Sequence, residues 1–485
     1  MKRLLRLLLS ALLLLIVTLI LRTLFFTSRQ LTNVPPAPAV AVSDSAVTRL
    51  AQALRIRTVS YADYSLTDTT QFDQFVRFLE RSYPLVHSRL KRETFNQYGL
   101  LYQWPGRNPT LKPVLLMGHY DVVPVIQGTE RMWKRPPFAG LIENGYIYGR
   151  GTLDDKTTVL GILEATEFLL QSGFQPERTI YLAFGQDEEA SGNRGARTIA
   201  NALKSRNITF DYVLDEGGTI KTDGMPGLTR PVALVGIAEK GYVSLELSAV
   251  GQGGHSSMPP PRTSIGLVAD AVATLEKHPF PARLDAGANH LFSYIGPEMP
   301  FGQRLVFANR WLFSPIVKNI LAGANSSNAM IRTTTAPTIF QAGVKDNVLP
   351  IDAKAILNFR ILPGETPTSV IERVREVIDN EAITVTEFGQ FSSSPSPLSD
   401  PNAPAFQRLH QTIRSVFPEV IVAPYLMLGA TDARYFTGLS PNVYRFLPTR
   451  LNDEEIKSIH GTNERISISD YKKIIQFYAT LIRNS

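Results

Sequence analysis

Leu115-Leu116-Met117-Gly118-His119-Tyr120-Asp121 is the stretch that decides the fold. An apolar run from Val114 to Met117 that ends on a glycine reads as a buried strand reaching its carboxyl edge. In an open α/β sheet that edge is where ligands bind. On extended backbone His119 and Asp121 project to the same side, because side chains alternate with period two. A metal-binding imidazole usually donates its other ring N–H to a carboxylate, and Asp121 is placed for that role. A lone His-Xaa-Asp pair is more often a loop hydrogen bond, so its meaning depends on the rest of the chain.

Outward from this stretch, apolar runs alternate with helical periodicity. Leu100–Trp104, Pro113–Met117, Thr179–Phe184 and Tyr212–Leu214 read as strands. Ala46–Ile56, Asp154–Gln171 and Glu189–Lys204 read as helices. Gln71–Ser82 places Phe72, Phe75, Val76 and Leu79 on one helical face, a core stripe. This alternation predicts an α/β fold with a mostly parallel sheet and helices on both faces. After Pro231 the pattern changes. A strand at Tyr242–Val250, a helix at Ser264–Lys277, a long irregular stretch, a strand at Ala353–Arg360, a helix at Thr368–Ile378 and a strand at Ile383–Phe388 follow. That block reads as a smaller α+β domain inserted into the larger one. The expected division is a catalytic domain over 46–235 and 393–485, with an inserted lid or dimerisation domain over 236–392.

At 485 residues the chain is long for one core, which favours two domains. The net charge is +7, but Lys2, Arg3, Arg6, Arg22 and Arg29 supply five of those charges within residues 1–30, leaving +2 elsewhere. No nucleic-acid footprint is indicated. The chain has no cysteine, so disulfides, thiolate metal sites and cysteine nucleophiles are excluded. Residues 7–21 are uncharged and mostly leucine, with basic residues before them and no clear small-residue cleavage site after them. Phe25 and Phe26 extend the run toward the ~20 residues that span a bilayer. Residues 1–30 therefore read as a single-pass signal anchor with the bulk of the chain outside the cytoplasm, periplasmic or extracellular, and secreted if the segment is cut. Residues 31–45, with Pro35, Pro36 and Pro38, read as a linker.

Polar motifs follow the predicted strands. Gly149-Arg150-Gly151-Thr152-Leu153-Asp154-Asp155-Lys156 opens a helix. A phosphate-loop reading fails because no glycine precedes Lys156. Asp187-Glu188-Glu189 follows a strand, and such adjacent carboxylates repel one another unless a cation compensates. Asp215-Glu216 follows another strand, and Ile459-His460-Gly461-Thr462-Asn463-Glu464 adds a second histidine. Imidazole and carboxylate donors without thiolate suit Zn, Mn or Co. There are enough of them for two ions, which could polarise a carbonyl and acidify a water. Gly251-Gln252-Gly253-Gly254 lacks the helix and spaced acid of a dinucleotide turn. His87, His278, His290 and His410 fall in no motif and read as solvated or core-satisfied.

These motifs, with Gly254-His255-Ser256-Ser257, resemble the dizinc aminoacylase/carboxypeptidase family over about residues 45–485. Arg332–Ala336, Gln341–Val348, Asn358-Phe359-Arg360 and Pro363-Gly364 are most similar to its carboxypeptidase S branch, which includes secreted N-fatty-acyl-amino-acid synthase/hydrolases. The resemblance implies a zinc-dependent hydrolase that cleaves the amide bond of dipeptides or N-acyl amino acids. It implies that His119, Asp154, Glu189, Asp215 and His460 bind two Zn2+, with Co2+ or Mn2+ as substitutes, and that Asp154 bridges them. Relatives differ in whether the residue at 215 or at 216 is the ligand, and Asp215 is the expected one. Asp121 would orient His119 and Glu188 would act as general base. His255 would stabilise the oxyanion, in many members across a homodimer. Arg360 would grip the substrate carboxylate, and Gly429 and Thr431 would line the cleft. The rival reading is a membrane-tethered binding protein with an inactive metal site. The apolar stretch Leu305–Leu321 reads as a helix packed on its own domain, or as a wall for an acyl chain or the bilayer.

Overall fold

The computed structural model describes residues 1–389 and 391–485. Its large sheet runs Lys91–Phe95, Gly99–Trp104, Ile180–Gly185, Val114–His119, Tyr212–Asp215, Val443–Arg445, Val232–Glu239, Ile220–Lys221, Arg450–Leu451. Ile421–Met427 also pairs with Val232–Glu239. The centre is parallel: Val114–His119 lies between Ile180–Gly185 and Tyr212–Asp215, and the latter pairs in parallel with Val443–Arg445. The edge formed by Lys91–Phe95 and Gly99–Trp104 is antiparallel.

Both faces of this sheet are covered, which explains why its central strands are continuous apolar runs. Leu116, Leu182 and Leu214 join one core with helices Lys156–Gln171 and Ile468–Asn484. Leu115, Met117, Ala183 and Val213 point the other way, onto Ala196–Ser205. Each fully buried side chain of this kind contributes about 1.5–3 kcal/mol. Lys156–Gln171 and Ile468–Asn484 approach closely at Gly161, where a Cβ would lie 2.6 Å from Ile474 Cγ2. The stripe at Phe72, Phe75 and Leu79 is buried as expected, on helix Thr69–Ser82, capped by the Asp68 carboxylate.

The smaller sheet is antiparallel, in the order Thr334–Ala342, Asp352–Ile361, Gly241–Val250, Thr384–Glu387. Helices Ser264–Lys277 and Pro367–Ile378 pack on it over a separate core. Two readings are corrected. The stretch expected to be irregular apart from a helix within Leu305–Leu321 forms helices Ala286–Ile295, Phe301–Ala308, Arg310–Ala322 and Asn325–Ile331. These helices do not join the small core: Leu291, Phe292, Tyr294, Met330 and Ile331 complete the core of the large sheet, beside Ile421–Met427. The helix expected from Glu189 begins only at Ala196. The Asp187 carboxylate accepts the backbone N–H of Arg194 and Gly195, both at 2.8 Å, and folds the intervening residues into a loop.

At the N-terminus, helix Lys2–Leu24 is exposed and has a mean hydropathy of 2.8 over its most apolar window. The segment after it lies along the large domain. Gln30 pairs through its side-chain amide with both backbone groups of Val422, at 2.9 and 2.8 Å, and Ala37 N–H donates to Ser415 O at 2.8 Å.

Candidate metal centre

The parallel strands deliver their polar residues to one edge. His119 ends its strand and is buried. Its Nδ1 lies 3.1 Å from the Asp121 carbonyl oxygen and 3.3 Å from Asp121 Oδ1. Its Nε2 lies 2.9 Å from Asp154 Oδ1 and 3.5 Å from Glu216 Oε1. The other oxygen of Asp154 is 2.9 Å from His460 Nε2, which is itself 3.1 Å from Glu189 Oε1. Two triads result, His119–Asp154–Glu216 and Asp154–Glu189–His460, and they share Asp154. Within each, the donor atoms lie within 4.8 Å of one another.

Asp121 supports both sides of this arrangement. Besides facing His119, its carboxylate accepts the backbone N–H of Glu188 and Glu189, each at 3.1 Å, and the Ser60 hydroxyl at 2.5 Å. The single turn Glu188–Ala190 is thereby held over the strand end. Gly192 closes that loop at φ +66°, and a Cβ there would lie 1.9 Å from Asp432 Oδ1, so no other residue fits.

The two candidates for the fourth carboxylate are placed differently. Asp215 does not face the histidines. It is buried, its Oδ2 accepts Ala433 N–H at 2.7 Å and its Oδ1 accepts Glu216 N–H at 3.0 Å. Glu216 takes the position beside His119 instead. Asp215, still in the strand, satisfies neighbouring backbone, while Glu216, which has left the sheet, is free to face His119.

The electrostatics are those of too many acids in one place. Burial pushes the Glu216 carboxyl up to about 7, with Asp154 adding to the shift. Burial also drives Glu188 well above the carboxylate range, and the neighbouring Asp432, Glu216 and Glu189 reinforce it. Burial raises Glu189 too, with Asp154 beside it. Burial would raise Asp154, but hydrogen bonds from His119 and His460 outweigh it and hold that carboxyl low. His460 is pushed up to about 10 by its bonds to Asp154 and Glu189. Carboxylates this concentrated call for positive charge. The donor set, two imidazoles and carboxylates with no thiolate, fits divalent ions such as Zn2+.

The remaining expected residues are placed differently from one another. Arg360 sits on the small sheet with its guanidinium 4.9 Å from the Tyr242 ring centre. Tyr242 faces Phe391 at 5.4 Å, and Arg434 lies 5.5 Å over that ring. Arg434 in turn reaches within 3.8 Å of Glu188 Oε1. Gly429 borders open space. Thr431 does not offer its hydroxyl to a cleft: it is buried, and both its hydroxyl and its N–H bond Glu239 Oε2 at 3.1 Å. His255 is exposed, on a two-residue strand against Val348–Leu349, with Nδ1 2.8 Å from Ser257 Oγ. Among the described residues no hydrogen bond or ion pair joins His255 to the two triads. Ser60, Arg434 and the buried Arg150 were not singled out in the sequence. Only Arg150, inside Gly149-Arg150-Gly151, carried any signal.

Residues 115–484 match the model of peptidase family M20/M25/M40. The chain is 40% identical over 477 residues to the probable carboxypeptidase S-like 2 of Dictyostelium discoideum, covering 96% of this chain and 91% of that protein. It is 40% identical over 437 residues to the N-fatty-acyl-amino acid synthase/hydrolase PM20D1 of Homo sapiens, covering 89% and 86%. Among solved structures, the M20 family metallo-carboxypeptidase Sso-CP2 from Sulfolobus solfataricus superposes with a TM-score of 0.66 at 20% identity, over 91% of this chain and 99% of that one. With two triads meeting at one aspartate and a family match over most of its length, the chain belongs to peptidase family M20/M25/M40 and is a hydrolase of amide or peptide bonds.

Proposed function

We propose that the chain is a dizinc carboxypeptidase or aminoacylase that cleaves dipeptides or N-acyl amino acids next to a free carboxylate. The observation that carries this reading is Asp154, which faces His119 with one oxygen and His460 with the other, both at 2.9 Å. His119, Asp154 and Glu216 would hold one ion; Asp154, Glu189 and His460 would hold the second. When bound, the ions polarise the scissile carbonyl and acidify the attacking water. Glu188 accepts a proton from that water as its oxygen bonds the carbonyl carbon. It then delivers the proton to the leaving nitrogen as the C–N bond breaks. Its carboxylate, on the turn held over the strand end by Asp121, is placed for both roles.

Arg360 fits the substrate carboxylate, for which its planar fork is well shaped. The row from Arg360 through Tyr242, Phe391 and Arg434 to Glu188 supports a cleft between the two sheets. His255, exposed and without partners in the triads, suits an oxyanion donor supplied across a homodimer. The half-buried to exposed strand Thr334–Ala342, with Ile339 and Phe340 uncovered, is an edge such a dimer could use. Helix Lys2–Leu24 is long and apolar enough to anchor the enzyme in a membrane, basic end inside.

The test is hydrolysis of a panel of dipeptides and N-acyl amino acids with and without a chelator, alongside Glu188→Gln. An amidase of this kind loses activity with the chelator and regains it with Zn2+. Glu188→Gln binds the same metal yet turns over about 10²–10⁴-fold more slowly. Undiminished activity in either case overturns the proposal.

A further inference from the structure

Helices Phe301–Ala308 and Arg310–Ala322 leave several large apolar side chains in solvent, spread across the exposed half of Arg310–Ala322. Phe301, Trp311, Ile316 and Ile320 are 55%, 58%, 56% and 69% exposed. Single exposed apolar residues are ordinary, but a cluster of them on adjacent helices is not. No Asp or Glu occurs between Glu298 and Asp346, while Arg304, Arg310 and Lys318 punctuate the same helices. Apolar, aromatic and basic side chains without acids make up the composition of a helix lying in a membrane interface.

The position of these helices supplies the occupant. Asn309, between them, donates from Nδ2 to Leu19 O at 3.1 Å and lies 3.3 Å from Thr23 Oγ1. Phe26 is packed so closely on Gly296 that a Cβ there would come within 2.7 Å of its ring. Both helices are therefore fixed to the outer end of Lys2–Leu24. Leu19 lies five residues before the end of that helix, about 7.5 Å along its axis at 1.5 Å per residue. An interfacial helix buries its apolar face about 5–10 Å into the headgroup and acyl boundary. With the bilayer boundary near the end of that helix, Asn309 would sit at about the depth at which such a surface works.

We infer that Phe301–Ala308 and Arg310–Ala322 form a bilayer-docking surface that seats the enzyme flat on the membrane, with Trp311, Ile316 and Ile320 entering the outer leaflet. This rests on the anchor reading of Lys2–Leu24. Docking would fix the orientation of the catalytic domain above the lipid, where a flexible tether alone would let it tumble.

Tryptophan emission of the full chain in phosphatidylcholine vesicles, with and without bromine on the acyl chains, tests this. The chain has three tryptophans; Trp104 and Trp133 are buried, so the signal lost in Trp311→Phe reports the surface. The expected result is a Trp311 signal that is quenched in brominated lipid and not in unbrominated lipid. The double variant Ile316→Glu/Ile320→Glu should lose this quenching while still hydrolysing a soluble substrate at the wild-type rate. If the chain floats with the vesicles but Trp311 is not quenched, the docking surface is wrong and the anchor stands. A chain that stays with the soluble fraction overturns both. Quenching by a brominated N-acyl amino acid in place of brominated lipid would make the surface an acyl-chain wall, which also overturns docking.

Discussion

Arg150 and Glu464 form an ion pair almost sealed from solvent, with Nη1 2.8 Å from Oε2 and 1% and 0% of the two residues exposed. Arg150 also donates to Gly461 O at 2.8 Å. Glu464 accepts the backbone N–H of Gly151 at 3.1 Å, Leu153 at 2.7 Å and Asp154 at 3.2 Å. One pair thus ties the loop that presents Asp154 to the loop that presents His460. The 2.9 Å spacings on both sides of Asp154 depend on that tie.

Glu464→Ala should therefore act as both a stability and a metal-retention variant. Removing one member of a buried pair costs about 3–5 kcal/mol, because the other charge remains buried alone. Thermal denaturation should show the loss, and metal content after dialysis should drop with it. A variant that melts like the parent and keeps its metal would show that the pair is an ornament of the fold.

Glu216 and Asp215 give opposite expectations for metal content under the proposed dizinc reading. Glu216→Ala should reduce bound metal from two ions per chain toward one, since it removes one of the three donors around His119. Asp215→Asn still offers an oxygen to Ala433 N–H and should leave the metal content unchanged, with a lower melting temperature from the altered buried contact. Elemental analysis of dialysed protein reads the difference. The reverse pattern, with metal lost at 215 and kept at 216, would return the ligand role to Asp215.

His255 and Glu188 can be tested together if His255 acts across a dimer. His255→Ala and Glu188→Gln should each be nearly inactive alone. Mixed and allowed to exchange subunits, they should regain activity, because one site in each mixed dimer pairs an intact Glu188 with the partner's intact His255. No recovery, despite demonstrated subunit exchange, would confine His255 to its own chain or remove it from the reaction.

Much of this was legible because the chemistry sits where the periodicity changes. The run before His119 is a central strand buried on both faces, so it reads as uninterrupted apolar residues, and the polar residue that ends it has to lie at the sheet edge. The same logic located Asp154, Glu188, Glu189 and His460. The different placement of Asp215 and Glu216 was beyond it, because both follow the same strand and the backbone N–H that occupies Asp215 comes from Ala433, 217 residues past Glu216. The bond from the Thr431 hydroxyl to Glu239 was hidden for the same reason, since that partner is distant in sequence. Of the helices between Ala286 and Ile331, only the stretch around Leu305–Leu321 read as helical, and Gly, Pro and Asn at their ends hid the others. Their apolar residues also serve two surfaces, the large core and the exterior, which blurs a single amphipathic stripe.

His410 makes one contribution of known sign to the pH dependence of the fold. It lies on helix Pro404–Val416, 6.4 Å from both the Tyr294 and Phe406 ring centres, and neither ring nitrogen has a partner among the described residues. Burial, with Arg414 adding to it, pushes its pKa down to about 4. In the unfolded chain the value returns to about 6.5. Between those values the unfolded state binds a proton that the folded state refuses, so stability falls as pH drops from about 6.5 toward 4. The loss from this residue between pH 7 and pH 5 should be about 2 kcal/mol, from about 1.4 kcal/mol per pH unit below the unfolded value. His410→Leu fills a similar volume and does not titrate. Denaturant melts at pH 7 and pH 5 should therefore show a smaller gap for His410→Leu than for the parent, whatever the variant does to the absolute stability. Equal gaps would mean that the acid sensitivity of the fold arises elsewhere and that His410 finds a partner on protonation.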